Sequence, residues 1–484
     1  MDKATHIAQS YPFAPTAEQL VFCREVAHFL SNTIDDKCFI LRGYAGTGKT
    51  TSVAALVKSL AAFKFRPILL APTGRAAKVM GNYTGRRALT IHKKIYRKRV
   101  AASTDLSFQL APNLSEHTVF IVDEASMIAD EWNTQSGSSF LRDLMSFVYN
   151  GKNCGLIFVG DTAQLPPVGS LDSPALNKSY ITSNFAVQVQ EVELKEVVRQ
   201  EKKSGILTNA TMLRKMIYKY ELQSEEEEQA VVLPKFKTGT FKDIFRMTGL
   251  KFVEGLEYAY RKFDIENTLV VCRSNKSANI YNQQIRTRLL YREEELTGGD
   301  HIMVVRNNYF WLPDNESTSF IANGDMAKIV RVRNEEERYG FRFSEVQLEF
   351  FDYPDAGSIT CKVMLDTIQA ETPNLSQEQS KKLFEGLSLD YEHIANKRER
   401  LKAIKEDPYF NALQIKFSYA VTCHKAQGGQ WDAVFVDQGY LTEEMIDLDF
   451  LRWLYTAVTR AKKELFLVNF SKMLFAKAEE EDPF

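Results

Sequence analysis

A glycine-rich segment, GYAGTGKT at residues 43–50, constrains the fold of this chain more than any other feature. It matches G-x-x-x-x-G-K-[ST], follows the apolar run CFIL and opens a helical pattern, which is the context that a phosphate-binding loop requires. Glycines allow backbone N–H groups to curl around phosphate oxygens, and the N-terminus of the next helix adds a favourable dipole. The segment predicts a nucleotide site formed by Gly43, Gly46, Thr47, Gly48, Lys49, Thr50 and Thr51.

A second motif, VFIVDEAS, ends in an acidic pair. Four apolar residues precede Asp123 and Glu124, which places both carboxylates at the C-terminal edge of a strand. Asp123 is expected to hold Mg²⁺ with Thr50, and Glu124 to polarise the water that attacks the γ-phosphate of ATP. Lys49 is expected to reach the β- and γ-phosphates. Because a water-activating base is present, the set predicts ATP hydrolysis rather than phosphoryl transfer to a metabolite.

Short apolar runs recur between glycine-rich or polar turns, and they indicate strands. Runs without alternation are typical of strands buried on both faces, as in a parallel sheet. Helical patterns separate them, and this alternation predicts α/β layers. The runs form two groups, at 38–41, 68–71, 119–122 and 155–160 and at 268–272, 415–421, 433–436 and 465–468.

Two segments depart from this pattern and are interpreted as insertions. Between residues 301 and 410, stretches such as GFRFSEVQLEFF indicate antiparallel strands of a small barrel, and a charged helical stretch follows them. Near 93–116, KKIYRKRV and LSFQLAP flank AASTD in the manner of a hairpin. We therefore expect a small hairpin in the first strand group and a barrel in the second.

The composition excludes several classes of protein. Hydrophobic residues make up 44% and charged residues 25%, as in ordinary globular proteins, and no stretch approaches the ~20 apolar residues of a membrane span. The six cysteines lie far apart without a CxxC pair, which argues against a disulfide framework or a zinc site and favours a reducing, cytoplasmic compartment. The net charge is −1, but basic residues crowd into 86–99, as in a nucleic-acid groove or a solvated face.

Taken together, the motifs resemble those of superfamily 1 helicases, and most closely the RecD/Dda-like, 5′-to-3′ branch (superfamily 1B). The resemblance rests on GYAGTGKT, APTGRAAK (71–78), TIH (90–92), VDEAS, GDTAQLPPV (160–168), VVRQ (197–200), YAVTCHKAQG (419–428) and YTAVTR (455–460), in the order of the family. It implies an ATP-dependent DNA helicase that translocates on single-stranded DNA and unwinds duplex.

The resemblance also implies a domain layout. The first RecA-like motor domain would span 1–200, with 93–116 as its candidate strand-separating hairpin. The second would comprise 201–300 and 411–484. An SH3-like barrel with a helical extension, at 301–410, would interrupt it.

The motif match assigns roles to further residues. Gln19, in FAPTAEQ, matches the glutamine that reads the adenine edge, since an amide donates and accepts at once. Gln164 matches the γ-phosphate sensor, and Arg199 and Arg460 match the two arginine fingers of the second motor domain. The residues that match DNA contacts are Thr73, His92, Thr422 and His424, whose hydroxyl and imidazole groups suit phosphates. Candidate base-stacking residues are Tyr96, Phe108, Phe310 and Trp311.

The expected partners are single-stranded and forked DNA, and the protein is expected to act as a monomer. The C-terminal KAEEEDPF is similar to the acidic tip of bacterial single-strand-binding proteins, so Asp482, Pro483 and Phe484 could dock on receptors of such tips. The alternative is a frayed acidic tail.

Two other functions stay open at this point. One is a translocase, stimulated by single-stranded DNA, that strips proteins with little unwinding. The other is an RNA-directed motor or a nucleotide-switched scaffold. The complete catalytic set argues against a scaffold, while DNA over RNA rests on the resemblance alone.

Overall fold

The computed structural model describes most of the 484-residue chain. The described ranges are 2–32, 36–98, 108–133, 138–197, 204–222, 233–312, 321–351 and 357–476. Several predicted features lie outside them, namely Arg199, the hairpin tip at 99–107 and the C-terminal Asp482, Pro483 and Phe484.

The described residues form 20 strands and 14 α-helices. The strands are β1 (Lys37–Gly43), β2 (Arg66–Ala71), β3 (Ala88–Thr90), β4 (Tyr96–Lys98), β5 (Phe108–Leu110), β6 (Glu116–Val122), β7 (Trp132–Asn133), β8 (Ser138–Ser139), β9 (Lys152–Gly160), β10 (Gln188–Leu194), β11 (Ile244–Met247), β12 (Thr268–Cys272), β13 (His301–Val304), β14 (Met326–Arg338), β15 (Phe341–Phe350), β16 (Ser358–Met364), β17 (Leu413–Phe417), β18 (Ala420–Thr422), β19 (Trp431–Asp437) and β20 (Ala461–Val468). The helices are α1 (Lys3–Gln9), α2 (Ala17–Ser31), α3 (Lys49–Ser59), α4 (Gly74–Thr84), α5 (Ile91–Ile95), α6 (Phe140–Tyr149), α7 (Lys178–Phe185), α8 (Gly205–Leu222), α9 (Phe252–Phe263), α10 (Asn275–Gln284), α11 (Gln377–Asp390), α12 (Lys397–Lys405), α13 (Cys423–Ala426) and α14 (Leu448–Val458).

The first sheet has six parallel strands in the order β10-β1-β9-β6-β2-β3. Alternate residues of β1 enter opposite cores: Cys38 and Ile40 pack with α5, α6 and α7, whereas Phe39 and Leu41 pack with α2, α3 and α4. Burial on both faces explains why these strands appear as continuous apolar runs. Because β1, β6 and β9 are parallel, the segments that follow them meet at one edge of the sheet.

The second sheet has five parallel strands in the order β11-β20-β19-β12-β18. One face packs on α8 and α14, and the other on α9 and α10. Ala163 and Leu165, which follow β9 of the first sheet, belong to the same hydrophobic cluster as α8 and α14. The two predicted parallel sheets are thus confirmed. Each sheet with the helices that pack on it is called a half of the molecule below, and the two halves share this hydrophobic core.

The predicted barrel is present and is closed by β13-β14-β15-β16-β17. Most of its strand pairs are antiparallel, but β16 and β17 pair in parallel. Its last strand, β17, lies after residue 410, where the sequence placed the end of the insertion. The barrel interior and one face of the second sheet form a single hydrophobic cluster, so the two units pack as one core.

The apolar run at 415–421 was predicted as one strand of the second sheet, and this was wrong. The run divides into β17 of the barrel and β18 of the sheet, with Ser418 and Tyr419 between them. Both linking residues are held by backbone hydrogen bonds: Ser418 N donates to His301 O over 3.0 Å, and Val270 N donates to Tyr419 O over 3.0 Å. Periodicity could not show this break because both strands are buried.

The segment predicted as a hairpin contains an antiparallel strand pair. β4 pairs with β5 so that Tyr96 faces Leu110 and Lys98 faces Phe108. The short helix α5, which carries His92, precedes β4 and packs on α6. The pair therefore projects from the side of the first sheet that carries α5 and α6.

All six cysteines are buried and unpaired. Burial raises the pKa of each thiol; for Cys23 the value is about 11 and for Cys423 about 12. In the part of the chain that the structure describes, no helix is both long and apolar enough to cross a bilayer.

Candidate active site and nucleic-acid interface

The glycine-rich loop connects the end of β1 to the first turn of α3. Gly46 and Gly48 have φ values of 81° and 85°, which L-residues with a side chain rarely adopt. A Cβ at Gly43 would lie 2.8 Å from Thr47 Oγ1, and Thr47 Oγ1 donates to Tyr44 O over 2.8 Å. The loop is therefore folded tightly back on itself, with Thr50 and Thr51 in the first turn of the helix behind it.

Lys49 lies across the mouth of this loop. Its Nζ donates to Gly43 O over 2.5 Å and to Tyr44 O over 3.0 Å. The same ammonium lies 4.0 Å from Asp161 Oδ2, at the end of the neighbouring strand β9. A cation in this position can neutralise the terminal phosphates of a nucleotide bound in the loop.

The predicted acidic pair follows β6 at the same sheet edge. Asp123 Oδ1 accepts the backbone N–H of Glu124 over 2.8 Å, and Asp123 Oδ2 accepts the Tyr83 hydroxyl over 2.6 Å. Glu124 has a φ of 52°, a left-handed conformation that is strained for a residue with a side chain. Burial raises the pKa of Glu124, and the charge of Arg460 is the largest opposing influence. A carboxylate with a raised pKa is better matched to taking a proton from water near neutral pH.

Arg460 approaches this pair from the second sheet, just beyond the end of α14. It is buried, and its guanidinium donates to Thr456 O over 3.0 Å and to Gly429 O over 3.1 Å. The second predicted finger, Arg199, lies outside the described residues. A Cβ added to Gly46 would lie 3.3 Å from Val197 Cγ1, so the last residue described before Arg199 contacts the loop.

Two buried glutamine side chains leave polar atoms without protein partners. Among the described residues, Gln19 Nε2 and Gln164 Oε1 have no hydrogen-bond partner. Leaving such an atom unpaired costs about 1–3 kcal/mol, so a ligand that pairs with it recovers that free energy. Gln19 Oε1 already accepts Thr16 N over 3.0 Å in the capping box of α2. The amide nitrogen is therefore the group of Gln19 that stays available to a base.

The predicted DNA contacts of the two halves approach each other at Gly428. Thr73 is the N-cap residue of α4 in the first half, and its Oγ1 accepts Ala76 N over 3.2 Å. A Cβ at Gly428 would lie 3.2 Å from Thr73 Oγ1 and 2.8 Å from Ala76 Cβ. Thr422 precedes α13, and His424 within α13 is exposed. The structure thus brings Thr73 close to the segment that carries Thr422 and His424.

His92 sits in more enclosed surroundings. Its ring stacks on Phe140 at a centroid distance of 4.4 Å, and burial lowers the pKa of His92 to about 4. The imidazole is therefore neutral near pH 7 and can meet a phosphate only as a hydrogen-bonding group. Desolvation of the ring lowers the pKa of His424, and the charge of Lys425 lowers it further.

The candidate stacking residues are engaged in packing where the structure describes their side chains. Tyr96 donates to Asp143 Oδ2 over 2.6 Å, and the indole N–H of Trp311 donates to Asn411 O over 2.7 Å. Phe310 packs edge-on against Trp311 at 4.9 Å. The side chain of Phe108 lies outside the described part.

Comparison with known proteins finds two family models and several helicases to which the chain is similar. The family model described as an AAA domain matches residues 18–231, and the model of a UvrD-like helicase C-terminal domain matches residues 417–468. The ATP-dependent DNA helicase Dda of Enterobacteria phage T4 is 24% identical over 449 residues, which cover 88% of this chain and 93% of Dda. The chain is an ATP-dependent DNA helicase, and it is similar to Dda over most of both chains.

Two further proteins are similar to this helicase. The ATP-dependent RecD2 DNA helicase of Deinococcus radiodurans is 31% identical over 187 residues, which cover 38% of this chain and 23% of RecD2. A crystal structure of Pif1 helicase from Bacteroides with ADP-AlF3 and ssDNA has 13% identity and a TM-score of 0.45, with coverage of 96% of this chain and 95% of that one.

The helicase contains site residues that sequence reasoning missed. Asp161 is buried between Lys49 and Tyr455, whose hydroxyl donates to Asp161 Oδ2 over 2.6 Å. Gln427 Nε2 donates to Leu165 O over 2.8 Å across the two halves. Asp161 directly follows an apolar run, as Asp123 does, and this signal could have identified it. The roles of Tyr455 and Gln427 depend on contacts that span the chain.

Proposed function

We propose that this helicase translocates 5′-to-3′ on single-stranded DNA and unwinds duplex by ATP hydrolysis. One observation carries the proposal. The buried Arg460, beyond the end of α14, lies close enough to Glu124 of the first half for its charge to lower the pKa of that carboxyl group, so the catalytic set is complete only when the two halves face each other. A change at the terminal phosphate of ATP would then alter the relation between the halves, which is how a motor converts hydrolysis into movement.

The residues at the sheet edge divide the chemistry among them. Lys49 would neutralise the β- and γ-phosphates, and Glu124 would orient and polarise the attacking water. Bound Mg²⁺ would neutralise further phosphate charge, and the oxygen ligands Thr50 and Asp123 suit such a hard cation. Gln164, whose carbonyl oxygen lacks a partner among the described residues, would respond to the presence of the γ-phosphate.

The two sides of the site would then act together. Arg460 would stabilise the negative charge that develops on the γ-phosphate, with Arg199 as the second finger. Gln19 would hold the adenine edge through its free amide nitrogen. Contacts from both halves make ATP binding sensitive to their relative position.

Single-stranded DNA would cross the face where the two halves approach each other at Gly428. The contacts of Thr73 and the position of the α13 segment support this path. Thr73, His92, Thr422 and His424 would contact the phosphate backbone without reading sequence. The β4–β5 pair within 93–116 would separate strands at a fork, and the closed barrel would act as the SH3-like unit of the family.

The remaining expectations rest on sequence. The layout of 1–200, 201–300 with 411–484, and 301–410 stays a prediction, as do a monomeric state and a cytoplasmic location. Binding of the tail residues Asp482, Pro483 and Phe484 to receptors of single-strand-binding tips is likewise a proposal from sequence alone.

Unwinding of two duplexes, one with a 5′ single-stranded tail and one with a 3′ tail, tests the proposed function in the presence of ATP and Mg²⁺. We expect only the 5′-tailed duplex to open. Opening of the 3′-tailed duplex alone would contradict the direction. If neither opens while single-stranded DNA still raises ATP turnover, the protein is a translocase and the strand-separating role of the hairpin is wrong.

A further inference from the structure

Residues 161–171, which follow β9 of the first sheet, form hydrogen bonds with one face of α14, a helix that packs on the second sheet. Arg452, Tyr455 and Thr456 lie three and four residues apart and so share a face of the helix. Arg452 Nη1 donates to Leu171 O over 2.7 Å, and Leu165 N donates to Thr456 Oγ1 over 2.9 Å. The helix therefore holds this segment by several polar contacts as well as by the shared core.

Of these three side chains on α14, that of Tyr455 also contacts the glycine-rich loop. It accepts the backbone N–H of Ala45, within the glycine-rich loop, over 2.9 Å. It also donates to Asp161 Oδ2 over 2.6 Å, and this carboxylate oxygen lies 4.0 Å from Lys49 Nζ. Tyr455 is 1% exposed and Asp161 is 1% exposed. The buried hydroxyl of Tyr455, from the second half, thus connects the glycine-rich loop with the Asp161 carboxylate beside Lys49.

Because both hydrogen bonds are buried, losing either of them is costly in free energy. A buried N–H or carboxylate that loses its partner pays a desolvation cost, so the Ala45 amide and the Asp161 carboxylate favour the arrangement in which Tyr455 stays between them. Arg460 lies five residues after Tyr455, beyond the end of the same helix. Whatever fixes Tyr455 against the loop therefore also fixes the position from which Arg460 reaches the phosphates.

We propose that Tyr455 is a positioning residue for ATP hydrolysis. Its hydroxyl fixes the phosphate loop and Asp161 in register with α14, so that Arg460 is correctly placed when the two halves close. This inference rests on the proposed function, because it assumes that the cleft turns over ATP. The hydroxyl contacts the loop backbone and Asp161, and its role is to set the geometry in which Lys49 and Arg460 act.

Tyr455→Phe tests this role, with Tyr419→Phe as a matched control. Tyr419 is 2% exposed, and its hydroxyl likewise accepts a backbone N–H, that of His301 at 3.0 Å, and donates to a buried aspartate, Asp300 Oδ1, at 2.9 Å. It lies between the second sheet and the barrel rather than between the two halves. Both variants lose a backbone and an aspartate hydrogen bond of a buried hydroxyl, and Tyr419→Phe also loses the one accepted from Arg292 Nη1 over 2.6 Å. Only Tyr455→Phe loses its hydrogen bonds at the nucleotide cleft.

Steady-state ATPase assays with saturating single-stranded DNA give the decisive comparison. We expect Tyr455→Phe to lower kcat about tenfold, since one misplaced transition-state contact is worth roughly that factor, while KM for ATP changes less than about threefold. Tyr419→Phe should keep the kcat of the unmodified protein at a temperature where both variants are folded. Equal losses in the two variants, or a raised KM with unchanged kcat for Tyr455→Phe, would overturn the proposal.

A second substitution covers the possibility that Tyr455→Phe does not fold. Asp161→Asn preserves the shape of the side chain but removes the negative charge of the carboxylate that contacts both Tyr455 and Lys49. The variant should have a lower kcat for ATP hydrolysis with little change in KM. When both variants fold, the double variant should lose little more kcat than either single one, because residues that act as a unit are not additive. Full kcat for Asp161→Asn, or additive losses, would count against the coupling.

Lys49→Ala separates failure of this inference from failure of the proposed function. If Lys49→Ala is inactive while Tyr455→Phe is fully active, the nucleotide site stands and the role of Tyr455 is wrong. If Lys49→Ala retains turnover, the nucleotide site itself is wrong, and the inference falls with it.

Discussion

At the scale of single residues, the backbone conformation of Glu124 separates it from the neighbouring carboxylate of Asp123 in its expected role. Its φ of 52° is a left-handed conformation, which costs about 1–2 kcal/mol for an L-residue. The N–H of Glu124 bonded to Asp123 Oδ1 fixes the turn. In the proposed function, the two adjacent carboxylates have different tasks, with Asp123 as a ligand of Mg²⁺ and Glu124 beside the attacking water.

Glu124→Gln should retain ATP binding but stop hydrolysis. The amide keeps the size of the side chain but cannot take a proton from water, so we expect kcat to fall at least ~100-fold. Lys49→Ala should abolish turnover by weakening nucleotide binding itself. Equilibrium binding of a fluorescent ATP analogue, together with phosphate release, distinguishes the two. Full turnover by either variant would refute the assignment of the site.

Sequence predicted where the residues of local motifs lie, while their roles stay predictions. Lys49 and Asp123 stand in motifs defined by a few neighbouring positions, and the structure brings both to the same edge of the first sheet. Tyr455 was missed because its two partners, Ala45 and Asp161, lie 410 and 294 residues away in sequence. No pattern in a single sequence reports a contact of that range.

At the scale of elements, the junction between α4 and the segment after α13 determines how closely the two halves approach. Gly428 has a φ of 73°, and its backbone lies against Ala76 and Thr73 of the first half. Trp431 of the same segment stacks under Arg75 at 4.9 Å. Both contacts join the second half to α4, so this junction links the predicted DNA contacts of the two halves.

Gly428→Ala should weaken binding of single-stranded DNA. The new Cβ would lie 2.8 Å from Ala76 Cβ, and relief of such overpacking typically costs ~1–3 kcal/mol, or about tenfold in affinity. Gly439→Ala is the control, since its φ is 66° but the nearest atom to its Cβ would be 3.9 Å away. Fluorescence anisotropy with a labelled oligonucleotide measures both. Equal affinities for the two variants would show that the approach at Gly428 does not matter for DNA.

The secondary-structure elements were predicted only in part. The parallel strands were recognised because each is buried on both faces. The division of 415–421 between barrel and sheet was not, since β17 and β18 are equally apolar and only two residues separate them. The parallel β16–β17 pair that closes the barrel was missed for a related reason, because strand direction is a tertiary property.

At the scale of the whole molecule, a buried charge cluster joins the barrel to the second sheet. Asp300, just before β13, accepts Arg286 Nε and Nη2 over 3.1 and 3.0 Å and Arg292 Nη1 over 2.7 Å. The Tyr419 hydroxyl, just before β18, donates to the same carboxylate over 2.9 Å. The barrel and the sheet should therefore move as one body.

Asp300→Asn should destabilise this body strongly. Removing one partner of a buried pair leaves Arg286 uncompensated, which typically costs ~3–5 kcal/mol in the free energy of unfolding. Glu295→Gln is the control, because the Arg342–Glu295 pair is partly exposed and worth at most ~1 kcal/mol. Urea unfolding followed by tryptophan fluorescence gives both values. A loss below 1 kcal/mol for Asp300→Asn would contradict the cluster's role.

The burial of all six cysteines has a practical consequence. Thiolates react with maleimides, and thiols with raised pKa values that are shielded from solvent do not. A single cysteine placed on an exposed position of each half would therefore carry a dye selectively in the otherwise unchanged protein. Energy transfer between two such dyes would show, in one molecule at a time, whether the cleft opens and closes with each cycle of ATP as proposed.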